Sequence, residues 1–195
     1  MPYTVKCTIT GIVPIMMDKF FTANQVGGGK SKVSAKTDQK KEIELKLHKD
    51  KKGVYMPADN IRMMLIGNTK RMGAAKILGG QIEKAKGTKY LNFCKACVWV
   101  VGPDDPLKVY IKPDRKTMDD YDERSFINAT GSRSITMRPI LTTPWTLTFM
   151  VQVTEDLFAD SKIREFFEVA GRRCGVGAYG PTFGRFQVTE WELQK

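Results

Sequence analysis

The segment Tyr3–Met17 reads YTVKCTITGIVPIMM, and within it Val5, Cys7 and Ile9 alternate with Lys6, Thr8 and Thr10. That period of two predicts a half-buried strand, and Gly11 and Pro14 then predict a bend or an edge position. Residues 22–36 are small and polar around three consecutive glycines, which predicts a flexible loop. Asp38–Leu47 predicts a short helix, although the alternation of Ile43, Leu45 and Leu47 also fits a strand. Asp50–Gly53 is a turn. Val54–Pro57 is extended, because the residue before a proline avoids the helical region. Asp59 or Asn60 caps a helix from about Ile61, with Ile61, Met64, Leu65 and Asn68 on one face. Residues 70–89 are basic and helical in flavour, interrupted at Gly79-Gly80. Phe93–Val101 and Leu107–Lys112 predict strands joined by a turn, and Asp114–Arg124 a charged loop. Ser134–Leu141 and Trp145–Val153 predict two strands around Thr142-Thr143-Pro144. Asp160 or Ser161 caps a helix that stops at Gly171. A glycine-rich stretch, 174–184, leads into a last strand, Arg185–Leu193. No internal repeat is visible.

Without its insertions this order is strand, helix, strand, strand, helix, strand. It predicts an α+β, ferredoxin-like (RRM-like) antiparallel sheet with helices on one face and basic insertions. The open sheet face of such folds is a common platform for single-stranded nucleic acid. The expected organisation is a single domain over 1–195 with a flexible, basic insertion at about 22–90.

Composition narrows the function classes. At 195 residues with 42% hydrophobic and 27% charged residues, the chain has enough apolar content for a core. It has no apolar run long enough for a membrane span, and MPYTVKCTITG lacks the pattern of a signal peptide. The expected location is cytoplasmic, with no membrane partner. Four cysteines in such a chain predict thiols rather than disulfides. Cys94-x-x-Cys97 is half of a zinc site that Cys7 and Cys174 would have to complete, and buried thiols are the favoured reading. No metal and no cofactor are expected. The single histidine, His48, sits in a lysine run, which argues against a Ser-His-Asp hydrolase and predicts an exposed ring.

Charge is unevenly placed. Residues 1–100 hold 19 Lys/Arg and 7 Asp/Glu, and residues 101–195 hold 13 and 14. Within the first half, Lys30–Lys89 has a net charge of +10, with lysines outnumbering arginines 14 to 2. A field of one sign suits a polyanion, and lysine suits backbone phosphates better than bidentate base reading. The basic side chains expected to contact nucleic acid here are Lys30, Lys32, Lys36, Lys40, Lys41, Arg62, Lys70 and Arg71. Phe20, Phe21 and Tyr55 are the aromatics nearest to them. The competing reading is a soluble, lysine-decorated surface.

The densest local signal is Gly175-x-Gly177-x-x-Gly180-x-x-x-Gly184-Arg185-Phe186. Such spacing allows positive φ values or close approach of backbone N–H groups to a ligand. It follows a helix and opens a strand, so it is not a dinucleotide fingerprint. A bare turn is the competing reading. Gly175, Gly177 and Gly180, with Arg172, Arg173 and Arg185, complete the candidate nucleic-acid-binding set. The acidic knot at Asp119, Asp120, Asp122 and Glu123 offers carboxylates to a divalent ion, but the favoured reading is a solvated loop or a patch facing the lysines of another copy.

A glycine-rich loop after the second helix of a ferredoxin-like fold, running into Gly-Arg-Phe, resembles the signature of the RAMP superfamily of CRISPR proteins. Gly53–Leu65, GVYMPADNIRMML, is similar to the segment of that superfamily's backbone subunits where an extended piece ending in proline enters a helix. Pro139–Val153 is similar to their strand-turn-strand before the second helix. The resemblance implies a subunit that polymerises along single-stranded RNA, with a protruding hairpin reaching its neighbour and with other effector-complex subunits as partners. It also implies a role for Asp18, since in some backbone subunits an aspartate on the loop after the first strand cuts target RNA. The competing reading of Asp18 is solvated loop charge.

The leading expectation is therefore a non-catalytic single-stranded RNA-binding subunit that oligomerises along the strand, as in an antiviral CRISPR effector backbone. The alternative is a standalone single-stranded DNA-binding or annealing protein of a phage or mobile element. An RNA endonuclease using His48 as base is the third reading.

Overall fold

The computed structural model describes residues 1–20, 36–127 and 131–194, with backbone alone for residues 36–40, 126 and 134. The first elements are strands β1 (Tyr3–Gly11) and β2 (Ile15–Met16), helix α1 (Lys36–Leu45), strand β3 (Tyr55–Pro57) and helix α2 (Ala58–Ile66). Helices α3 (Ala74–Ile82) and α4 (Lys84–Cys97) follow, then strands β4 (Val98–Val101), β5 (Lys108–Lys112), β6 (Asp120–Ile127), β7 (Arg133–Leu141) and β8 (Thr146–Val153). Helix α5 (Asp160–Arg173) and strand β9 (Phe186–Gln194) end the described chain.

The predicted alternation in β1 places it at the centre of an antiparallel sheet. Val5, Cys7 and Ile9 are buried, and β1 pairs with β8 on one side and β9 on the other. The far edge of β8 is shared end to end, by β4 along Met150–Val153 and by β5 along Thr146–Leu147. The order β4-β8-β1-β9, with α2 before β4 and α5 before β9, is the expected ferredoxin-like arrangement. One face of it packs Leu147, Phe149 and Val151 against Ile61 and Leu65 of α2 and Ile163, Phe166 and Phe167 of α5, all buried in one core. Burying these large side chains contributes about 1.5–3 kcal/mol each.

The other face differs from a base-stacking platform. Its central strands carry threonines: the Thr8 hydroxyl is 2.9 Å from that of Thr148 and donates to Glu190 at 2.7 Å. Rings lie at its margins. Trp99 is covered by the Arg62 guanidinium at 4.1 Å, and Tyr55 is packed against Tyr110.

Several local expectations are corrected. Phe93–Cys97, expected as strand, is the end of α4. Tyr90, Phe93, Cys94 and Cys97 recur at helical spacing and are buried on one face, with Tyr90 and Phe93 packed edge-on against Phe158. Gly79-Gly80 does not interrupt α3. Gly79 lets α4 pass closely, because a Cβ there would lie 2.6 Å from the Gly87 Cα, and the chain breaks at Glu83 instead. Pro57 and Ala159 occupy the N-cap positions, leaving Asp59 and Asp160 in the first turns. Gly171 lies inside α5, against Phe186 of β9, and the left-handed stop is Gly175 at φ +69°. The expected loop at Asp114–Arg124 ends in a strand, β6, which pairs with β7. β7 and β8 form no hairpin. β7 belongs to a second sheet, β2-β7-β6, and the chain crosses between sheets at Thr142–Pro144.

Candidate nucleic-acid interface

The glycine-rich loop folds onto β2. At φ +85° Gly177 passes so close to the Met16 carbonyl that a Cβ would lie 2.4 Å from its oxygen, and the next residue, Ala178, donates its N–H to that oxygen at 2.8 Å. A Cβ on Gly180 would lie 2.0 Å from the Cys174 carbonyl oxygen. These glycines are required by backbone-on-backbone packing, Gly177 against β2 and Gly180 within the loop.

Facing it is the connection from α2 to α3. The Asn68 side-chain oxygen accepts the backbone N–H groups of Lys70 and Arg71, each at 2.9 Å, an Asx turn that presents both cations. Arg71 then donates from Nη2 to the Cys174 carbonyl at 2.8 Å. This bond ties the connection to the C-terminal end of α5 and places a cation where the helix dipole favours one.

A cleft of about 270 Å³ opens between these two loops and α2. Met17, Met56, Met63, Met64 and Met72 give it apolar walls. Asp18, His48, Asn60, Asn68 and Arg71 give it polar ones, with Gly175 and Gly177 contributing backbone. Asp18, His48, Arg71, Gly175 and Gly177, singled out separately in the sequence, therefore meet at one place.

The remaining candidates are distributed differently. Lys30 and Lys32, with Phe21, lie outside the described residues, as do the side chains of Lys36 and Lys40. Lys41, Lys70, Arg172, Arg173 and Arg185 are exposed. Arg173 faces the side-chain amide of Gln81. Arg62 is engaged internally, donating to the carbonyls of Val98 at 2.8 Å and Lys95 at 2.6 Å while stacking on Trp99. The four cysteines are buried free thiols, and burial pushes Cys94 up to about 12 and raises Cys7 and Cys174 as well. Cys94 and Cys97 lie on a helix, and the described residues contain no group of three or more potential metal ligands.

Two acid–base candidates look different in three dimensions. Asp18 is not a free loop charge, because Arg138 donates to it from Nε at 2.6 Å. His48, expected to be exposed, is half-buried against Tyr55. Burial first, and the charge of Lys19 second, hold its pKa below the ordinary histidine value, so the folded state prefers the neutral ring. As pH falls below about 6.5, the unfolded chain binds a proton that the folded chain resists. Stability is expected to decline across that range. Urea unfolding at several pH values checks this, and His48→Gln flattens the dependence.

Sequence reasoning missed a cluster beside the cleft. Tyr179 holds φ 55°, an uncommon conformation for a residue other than glycine. Its ring is 42% exposed and lies 4.6 Å from the Arg124 guanidinium and 4.9 Å from that of Arg138. Arg124 pairs in turn with Asp122. These residues come from β6, β7 and the glycine-rich loop, with no periodicity linking them.

No family model and no curated protein matches the chain. The fold is shared with a chain of known structure. That chain comes from the cryo-EM structure of the type III-B Cmr-beta complex bound to cognate target RNA. The TM-score is 0.56 at 14% sequence identity, and the match covers 100% of this chain and 61% of the Cmr-beta chain. At that identity the likeness is one of fold. No helix among the described residues is long and apolar enough to cross a membrane.

Proposed function

We propose that this protein is a non-catalytic single-stranded RNA-binding subunit that oligomerises along its strand, as the backbone of a CRISPR effector does. The observation that carries the reading is the fold shared over the whole chain with a chain from the structure of type III-B Cmr-beta bound to cognate target RNA. Charge supports it, since the net +10 stretch Lys30–Lys89 includes the Lys70–Arg71 turn at the cleft, and lysines neutralise phosphates without reading sequence. The hairpin β6–β7 supports the assembly half. Ile127 and Ile135, near its far end, are 76% and 61% exposed, which suits a surface that a second copy covers. On that hairpin Asp120 and Glu123 are exposed and suit a basic neighbour, whereas Asp119 and Asp122 are engaged with Arg115 and Arg124. A basic face meeting an acidic hairpin is a head-to-tail contact that does not close on itself.

The expected result is stepwise growth in mass, by light scattering, as RNA length increases at fixed moderate salt. One protein per long strand at saturation contradicts the backbone role. Preferential binding of single-stranded DNA of equal length favours the mobile-element alternative.

A further inference from the structure

We propose that the methionine-lined cleft between α2 and the glycine-rich loop holds one unstacked nucleobase of the bound strand. The inference rests on the RNA-binding reading above and deepens it by naming what the cleft takes. At about 270 Å³, it lies just below the roughly 300 Å³ at which pockets for drug-sized ligands begin, so it suits a single heterocycle rather than a longer ligand.

Its walls suit an aromatic ring. Met17, Met56 and Met64 are buried and give the cleft an apolar floor, whereas Met63 and Met72 are 37% and 62% exposed at its mouth. Methionine side chains adapt to flat rings, and their polarisable sulfurs favour aromatic partners. Two such side chains left partly in water on a concave surface are covered when a base enters.

The polar edge favours a heterocycle over an aliphatic occupant. Asn60 donates from Nδ2 to the Met56 sulfur at 3.6 Å, which leaves its side-chain oxygen as an acceptor. Asn68 spends its oxygen on the Lys70 and Arg71 amides, which leaves its NH2 as a donor. An acceptor and a donor on apolar walls match the mixed edge of a nucleobase. A lipid tail or an apolar peptide side chain gains nothing from these two exposed amides, which a heterocycle can pair with. A divalent cation is a poor occupant, because among the described residues Asp18 is the single carboxylate lining the cleft and Arg138 holds it. Lys70 and Arg71 stand beside the mouth, where the phosphates flanking an unstacked base pass.

The test uses the wild-type protein with 13C-methyl-labelled methionines, the Met63 and Met72 signals being assigned through single Met→Leu variants, which conserve volume. A short single-stranded RNA and an abasic oligonucleotide of equal length are titrated in, with a terminal dye reporting binding by anisotropy. The expected result is an upfield ring-current shift of both methyl signals with the RNA, absent with the abasic strand. If the RNA binds and neither signal shows a base-dependent shift, the cleft inference is overturned and the RNA-binding reading stands. If no strand binds, both are overturned.

Discussion

Replacing Gly180 with valine is expected to cost about 3 kcal/mol or more, lowering the melting temperature by about 6–12 °C in a chain of this size. The reason is geometric. A Cβ at Gly180 meets the Cys174 carbonyl oxygen at 2.0 Å and the Arg71 guanidinium at 2.3 Å. The guanidinium can swing away, but the carbonyl is backbone at the end of α5 and cannot. Moving Arg71 also breaks its bond to Cys174, which ties the two loops of the cleft together. Gly177→Val adds a β-branched side chain at φ +85° and a contact at 2.4 Å with the Met16 carbonyl oxygen, so it is expected to be at least as damaging. Thermal unfolding followed by circular dichroism gives both values. Parent-like melting of both variants would falsify the packing described for this loop. Because glycine replacements act through stability, the loop's part in binding is better read from Arg172→Glu and Arg185→Glu, whose exposed side chains leave the packing intact.

Strand affinity is expected to fall linearly with salt on logarithmic axes, with a slope of about −0.7 for each phosphate contacted on a single strand. Five contacts give a slope of about −3.5, so a fourfold rise in salt weakens binding about a hundredfold. Reversing the charge of Lys30, Lys32 and Lys36 together is expected to reduce the magnitude of the slope by about 2, or about 0.7 each, without lowering the melting temperature. Lys70→Glu, at the tip of the Asx turn, tests a described exposed cation and is expected to reduce the magnitude of the slope by about 0.7. Fluorescence anisotropy across a salt series measures all of these. An affinity that ignores salt is incompatible with phosphate-led binding.

The elements that could be read from the sequence share a property: their signal is local. Val5, Cys7 and Ile9 alternate because β1 has one wet and one dry face, and the strand was found where the alternation placed it. The turn at Asp50–Gly53 forms as the Asp50 carboxylate accepts the backbone N–H groups of its near neighbours Lys52 and Gly53. The misreadings came where a longer-range contact decides. Apolar Phe93–Cys97 fits a strand and a helix equally well as a short run, and the rings of Phe158 and Phe166 waiting on one side favour the helix. Gly79 and Gly171 read as helix breakers, yet each lies in a helix at a point where another chain segment passes too close for a side chain.

The site divides in the same way. The sequence by itself determined the ferredoxin-like order of elements, the basic first half and the glycine-rich loop, because periodicity, net charge and residue type need no partner to be seen. Only the tertiary structure decided that Asp18, His48, Arg71 and Gly175–Gly177 meet at one cleft and that five methionines wall it. It also decided that Arg62 is spent on the end of α4 and that Arg124 and Arg138 converge on Tyr179. Those residues lie on elements far apart in the chain. What unites them is the path of the backbone through two sheets, fixed by burial of one common core rather than by any pattern among the residues themselves.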